Sequence, residues 1–318
     1  MTLNLESGTR PKTAYLFPGQ GSQSVGMGKE LYDHSEAAKS VFKEVDDALG
    51  RPLTDLLFNG PEDTLKETVN AQPAIMAVSL ACIKAMEEQL TNSQVPMAVV
   101  VAGHSLGEYT ALAVAGVLDI SQTTWLVNAR SEAMQKACEH NPGTMAAILG
   151  LDEMTMAEIS HQTGTYVSNI NTSEQIVISG ERLAVAQALD LASARGARKA
   201  IPLQVAGAFH SSLMEPAQSK LIDAIGQLKF KDPTIPIIAN CTGKPLTSSE
   251  SVKQELISQI SSCVQWKLSI DYMINIGVSN FIEIGPGKVL NGMVKRIDRS
   301  ANITSISNVD SILKLRRN

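Results

Sequence analysis

The sequence predicts an α/β protein in which a mostly parallel sheet, covered by helices on both faces, is interrupted by a smaller unit of strands and helices. Three observations lead there. Short, uniformly apolar runs alternate with amphipathic helical patterns, as expected of strands buried on both faces. Several of those runs end in glycine-rich turns that open onto helices. Between about 144 and 203 the order becomes β-α-β-β-α-β, that of a ferredoxin-like unit.

In chain order, residues 13–17 (Thr-Ala-Tyr-Leu-Phe) read as a buried strand that ends in Pro18-Gly19-Gln20-Gly21-Ser22-Gln23. Helical patterns follow over 35–49 and 73–90, then a second buried strand over 96–103 and a small-residue helix just after Ser105. A further helix is predicted from Thr124 to Ala137. The middle unit reads as strand 144–149, helix 152–162, strands 165–170 and 175–179, helix 181–194 and strand 198–203, punctuated by Gly150, Gly164, Gly180 and Gly196. After Gly207 come a strand at 235–239, a helix at 251–261, a strand at 280–284 leading into Gly285-Pro286-Gly287, and a helix at 289–297. The expected division is an α/β-hydrolase-like core of residues 1–137 and 206–318 with a ferredoxin-like subdomain of residues 138–205.

Composition narrows the function classes. A chain of 318 residues, 44% hydrophobic and 19% charged, can bury a large core. A net charge of -5 and a pI near 5.6 argue against nucleic acid as the main ligand. The short basic clusters are Lys295-Arg296 and Arg316-Arg317. Cys82, Cys138, Cys241 and Cys263 are far apart and lack metal-ligand spacing, which suits reduced thiols in the cytoplasm. Met1 to Lys12 is polar, without the apolar core of a signal peptide, and the longest apolar stretch, Met97 to Ala102, is too short to span a bilayer. A cytoplasmic protein with no membrane partner is expected.

Gly103-His104-Ser105-Leu106-Gly107 fits the G-x-S-x-G nucleophile elbow. That motif needs a sharp strand-to-helix turn, and the valines at 99–101 and the helix-forming run from Leu106 to Ala113 supply both sides of it. A serine hydroxyl needs a base. Of the five histidines, His34 and His140 lie among polar residues and His161 lies in the middle unit; His104 sits beside the serine, where its ring would point away from the hydroxyl. His210, following the apolar run Val205-Ala206-Gly207-Ala208-Phe209, is the candidate base. No carboxylate stands out to orient it, which leaves a backbone carbonyl or a distant residue for that task.

A tetrahedral intermediate also needs two donors. One is the N–H of Leu106 at the helix start; the other could come from the loop containing Gln20. The same loop is no dinucleotide fingerprint, because Ser24 stands where a third glycine belongs. Arg130, on an otherwise apolar stretch of helix, has two readings: an ion pair with Glu132 or Asp119, or a grip on a substrate carboxylate. The residues alone leave both open.

Taken together, Pro18-Gly19-Gln20-Gly21-Ser22-Gln23, Gln72-Pro73-Ala74, Gly103-His104-Ser105-Leu106-Gly107-Glu108, Arg130, Gly207-Ala208-Phe209-His210-Ser211, Val264-Gln265-Trp266 and Glu283-Ile284-Gly285-Pro286-Gly287-Lys288 resemble the malonyl-CoA:acyl-carrier-protein transacylases. They occur in that family's order and span about 13 to 300. The resemblance implies that Ser105 carries the malonyl ester, His210 serves as base and acid, and the N–H groups of Gln20 and Leu106 form the oxyanion hole. It further implies that Arg130 binds the malonyl carboxylate, Gln72 lines the pocket, Phe209 excludes an α-methyl branch, and the main-chain carbonyl of Gln265 orients His210. It implies malonyl-CoA and a phosphopantetheinylated acyl carrier protein as partners, no metal or redox cofactor, and a monomer. Ser212, where the family often has proline, and residues 1–11, beyond its usual start, are departures away from the chemistry. Arg195, Arg198, Lys199, Lys288, Lys295 and Arg296 are candidates for a basic patch facing an acidic carrier. The alternative function is a serine hydrolase acting on carrier-bound or CoA thioesters.

Overall fold

Strand β1 (Lys12–Phe17) turns Tyr15 and Phe17 into one apolar cluster and Ala14 and Leu16 into another, so both faces of the strand are covered. This period-two alternation between two buried faces is why the strand reads as an unbroken apolar run. The computed structural model describes residues 11–91 and 94–315; residues 1–10 and the Arg316-Arg317 pair lie outside them.

The remaining strands in chain order are β2 (Ala98–Gly103), β3 (Thr144–Leu149), β4 (Tyr166–Thr172), β5 (Gln175–Gly180), β6 (Lys199–Leu203), β7 (Ile237–Ile238), β8 (Pro245–Leu246), β9 (Val278–Ile284) and β10 (Asn302–Ile306). They form two sheets. The larger has the order β10-β9-β1-β2-β7-β8, with every pair parallel except β7 with β8. Neighbouring parallel strands β9, β1 and β2 therefore release their following loops at one edge of the sheet. That edge, beyond the carboxyl ends of the strands, is where open α/β sheets bind ligands.

The smaller sheet is antiparallel, in the order β4-β5-β3-β6, with helices Glu153–Thr163 and Arg182–Ala194 in its two crossovers. The predicted β-α-β-β-α-β order is present. Ala146, Ile148, Ile176 and Ile178 pack under those helices, whereas Met145, Ala147 and Val177 on the opposite face join the main core. β4 is stitched to the larger unit by Ile170 N–H donating to the Val264 carbonyl (2.9 Å) and Val264 N–H donating to the Ser168 carbonyl (2.8 Å).

The helix predicted over 73–90 begins earlier, at Thr68, and runs to Gln89, so Pro73 lies inside it. Proline removes one helical N–H. The Val69 carbonyl freed in this way accepts instead from Arg51 Nη2 at 2.9 Å. This helix is long and apolar enough by composition to cross a bilayer, but 89% of its most apolar window is buried inside the protein. It is the central helix of the core.

Candidate active site

Ser105 sits between β2 and the helix Leu106–Val114 with φ 51° and ψ -104°. Among the described residues, Ser105 and His210 (φ 57°) are the two non-glycine positions with positive φ. Such conformations persist where the surroundings over-determine them, and they gather at functional sites. The elbow permits no side chain on either flank. A Cβ on Gly103 would lie 1.8 Å from the Gly107 carbonyl carbon, and one on Gly107 would lie 2.1 Å from the Phe17 carbonyl oxygen. The turn is thus pressed against the end of β1. Ser105 N–H donates to Asn240 Oδ1 at 2.7 Å, which anchors the strained residue from behind.

The structure brings Ser105 and His210 together, with Ser105 Oγ 2.8 Å from His210 Nε2. On the far side of the ring, Nδ1 lies 2.9 Å from the main-chain carbonyl of Gln259. A carbonyl only accepts, so Nδ1 carries the proton and Nε2 is left to accept from the serine hydroxyl. Burial, and then the charge of Arg130, push the His210 pKa down to about 3, against the opposing pull of the Gln259 carbonyl. At neutral pH the imidazole is therefore neutral, the form a base requires.

One expectation is corrected here. Gln265 does not orient His210: its carbonyl accepts from the Ser269 N–H (3.0 Å) and hydroxyl (3.2 Å) at the start of helix Trp266–Asn275. A carbonyl committed to the first turn of a helix points along that helix and away from the imidazole. The orienting carbonyl belongs to Gln259, the last residue of helix Ser249–Gln259, where carbonyls lack intrahelical partners.

Arg130, fully buried in helix Ile120–His140, reaches the same serine. Nη2 donates to Ser105 Oγ at 3.1 Å and to Gln259 Oε1 at 3.0 Å, and Nη1 donates to Gln72 Oε1 at 2.6 Å. Its guanidinium lies over the Tyr109 ring at 5.0 Å, while Nε has no hydrogen-bond partner among the described residues. The two carboxylates weighed as ion-pair partners are engaged elsewhere: Asp119 caps its helix through Gln122 N–H, and Glu132 accepts from Asn128. No ion pair to Arg130 occurs among the described residues. A buried guanidinium surrounded by amides, a ring and a hydroxyl retains its affinity for an anion.

Gln72, also fully buried, links this cation to the first loop: its Nε2 donates to Gln20 Oε1 at 3.2 Å. Leu106 opens its helix, where an N–H has no intrahelical acceptor. Phe209 is buried in the main core beside His210. His104 turns away from the serine, its Nε2 donating to Asn171 Oδ1 of β4 at 2.9 Å and its ring tilted against Trp266 at 5.4 Å.

Glu108, Asn240 and Gln259 were not singled out by the sequence. Glu108 is fully buried; its Oε1 accepts from Asn240 N–H (2.8 Å) and Nδ2 (3.0 Å), and its Oε2 accepts from Gln259 Nε2 (2.6 Å). Burial, and then the nearby Glu255, raise its pKa well above the ordinary value, against the pull of these donors. A usable signal did exist for Gln259. Val252, Glu255, Leu256 and Gln259 occupy the buried stripe of their helix at i, i+3, i+4 and i+7, so two polar residues stand where apolar ones belong.

Fold and constellation place the chain in the class of α/β acyl-transferring enzymes. The acyl transferase domain family matches residues 14–318, and the chain belongs to that family. Malonyl CoA-acyl carrier protein transacylase of Bacillus subtilis (strain 168) is 42% identical over 306 residues, covering 95% of each chain. The Escherichia coli (strain K12) protein of the same name is 39% identical over 288 residues, covering 89% of this chain and 92% of its own. Among solved structures, acyl-carrier-protein S-malonyltransferase from Bartonella henselae superposes with a TM-score of 0.92 at 41% identity, covering 96% of this chain and 98% of its own. A malonyl transacylase in complex with a type II polyketide synthase acyl carrier protein also reaches 0.92, at 36% identity over 96% of this chain and 100% of its own.

Proposed function

We propose that this protein moves a malonyl group from malonyl-CoA to the phosphopantetheine thiol of an acyl carrier protein, through an ester on Ser105, for fatty acid or polyketide chain extension. The observation that carries the reading is one hydroxyl shared by two groups: His210 Nε2 at 2.8 Å and, at 3.1 Å, the guanidinium of Arg130, which has no carboxylate partner among the described residues. A base beside the serine suits any acyl transfer. A buried cation beside it suits an acyl group that ends in a carboxylate.

In the first half-reaction His210 Nε2 takes the Ser105 proton as Oγ bonds to the thioester carbon. The oxyanion is held by the N–H groups of Gln20 and Leu106. The C–S bond then breaks and the imidazolium returns its proton to the CoA thiolate. In the second half, His210 takes the proton of the phosphopantetheine thiol, sulfur attacks the malonyl ester, and Ser105 recovers its proton as the C–O bond breaks. Both halves balance without a metal or redox cofactor. Arg130, aimed by Gln72 and Gln259, holds the malonyl carboxylate throughout, and Phe209 limits room for an α-methyl group.

A cleft of ≈ 460 Å³ between the small sheet and the helix Val289–Ile297 fits the acidic partner. It is lined by Arg198, Lys199, Lys295, Arg296 and Arg299, with Glu174 as its carboxylate. Thr172 of its wall adjoins Asn171, which holds His104 next to Ser105. The cleft thus lies where residues 138–205, taken as a separate subdomain, meet the core. A cytoplasmic setting goes with this reading, since all four cysteines are free thiols.

Mass spectrometry of the protein mixed with malonyl-, methylmalonyl- or acetyl-CoA, followed by addition of holo acyl carrier protein, tests the proposal. Malonyl should accumulate on Ser105 and pass to the carrier thiol. Release of free malonate at the same rate with and without carrier would favour the hydrolase reading instead.

A further inference from the structure

Glu108 touches neither Ser105 Oγ nor His210, yet both amide side chains that bond to the Ser105 main chain turn their NH2 groups toward it. Asn240 directs Nδ2 at Glu108 Oε1 and at the Gly103 carbonyl (2.7 Å), which leaves its Oδ1 to accept from Ser105 N–H. Gln259 directs Nε2 at Glu108 Oε2 and at the Ser105 carbonyl (2.9 Å), which leaves its Oε1 to accept from Arg130 Nη2. An amide has one accepting and one donating end, so whatever fixes one end fixes the other.

We propose that Glu108 is a positioning residue for malonyl selectivity: its carboxyl fixes the orientation of the Gln259 amide, and Gln259 in turn aims Arg130 at the substrate carboxylate. The inference rests on the malonyl-transfer reading above and assigns it a residue that no step of the reaction touches. The amide also acts as a spacer. It lets a buried acidic group face a buried guanidinium through one side chain, so the nearby carboxyl does not occupy the clamp itself. A carboxylate in direct contact with Arg130 would compete with the substrate for the same N–H groups.

The geometry specifies what an isosteric change does. In a Glu108→Gln variant the Oε1 position still faces the backbone N–H of Asn240, which cannot reverse, so the new carbonyl oxygen must stand there. The new NH2 then meets Gln259 Nε2, donor against donor. Gln259 must lose that contact or flip, and flipping would point its own NH2 at Arg130. The disturbance therefore passes to the clamp, while the Asn240 hold on Ser105 N–H is retained.

The test measures Ser105 acylation rates with malonyl-CoA and with acetyl-CoA in wild type, Glu108→Gln, Gln259→Leu and the double variant. Gln259→Leu keeps the main-chain carbonyl that orients His210. Each single variant should lower the malonyl-to-acetyl rate ratio by roughly tenfold, the scale of a lost hydrogen bond to a charged group. The double variant should be no worse than either single one, because both act on one contact. Equal loss of malonyl and acetyl acylation, or an unchanged ratio in Gln259→Leu, overturns the proposal; if Glu108→Gln fails to fold, Gln259→Leu decides alone. A wild-type protein that takes no malonyl onto Ser105 would instead refute the function itself.

Discussion

The two arms that meet at Ser105 are built differently. His210 is held by the main chain: a strained φ of 57° at its own residue and the Gln259 carbonyl behind its ring. Arg130 is held by side chains alone, the amides of Gln72 and Gln259 and the face of Tyr109. A backbone anchor survives side-chain substitution, whereas an anchor made of side-chain amides can be retuned residue by residue. In the proposed reaction, proton transfer, required for every acyl group, rests on the first kind of support, and recognition of a particular acyl group rests on the second.

The sharpest way to break this contrast is to remove the base. His210→Ala should slow acylation by roughly 10²–10⁴-fold, equally for malonyl- and acetyl-CoA, in stopped-flow or quenched mass measurements. Unequal losses would mean that the base arm also selects. On the selective arm, Phe209→Leu should raise the methylmalonyl-to-malonyl rate ratio by roughly tenfold, since one methyl in an apolar pocket is worth about 1–3 kcal/mol. No change would remove Phe209 from that role.

Acidity probes the base arm without mutation. With the His210 pKa pushed down to about 3 by burial and Arg130, the acid limb of kcat/KM should fall well below the ordinary histidine value. The same shift has a defined sign for stability. Between about 6.5 and about 3 the unfolded chain binds a proton that the folded chain refuses, so stability falls as pH drops through that window, by up to roughly 1.4 kcal/mol per pH unit. His210→Gln should flatten that slope in acid denaturation curves. The smallest effect expected is at Gln265, where Gln265→Ala keeps the main-chain carbonyl that accepts from Ser269 and should leave kcat within about twofold.

Legibility in the sequence followed the same division. Strands β1, β2 and β9 and the whole β-α-β-β-α-β order could be read because each carries a local pattern: an apolar run, an amphipathic stripe, a glycine stop. Strand β7 lies within the predicted 235–239 but is only two residues long, and the helices Glu215–Gly226 and Trp266–Asn275 are absent from the sequence reading, since their boundaries depend on packing against elements distant in sequence. Ser105 was legible because its elbow needs glycine on both sides. His210 was legible by elimination, and Arg130 as a charge among apolar neighbours. The anchor of His210 was not, because any residue's carbonyl can accept and spacing alone does not distinguish Gln265 from Gln259. Glu108 lay in plain view within Gly103 to Glu108, but its role depends on Asn240 and Gln259, more than 130 residues downstream.

The most direct test compares Ser105 acylation by malonyl-CoA and by acetyl-CoA in wild type and in Arg130→Ala. Loss of the guanidinium should reduce malonyl transfer by roughly 10²-fold or more, the scale of a buried charge pair, while acetyl transfer stays within a fewfold of wild type. Equal reduction with both substrates would show that Arg130 supports the site without recognising the acyl carboxylate, and would contradict the account.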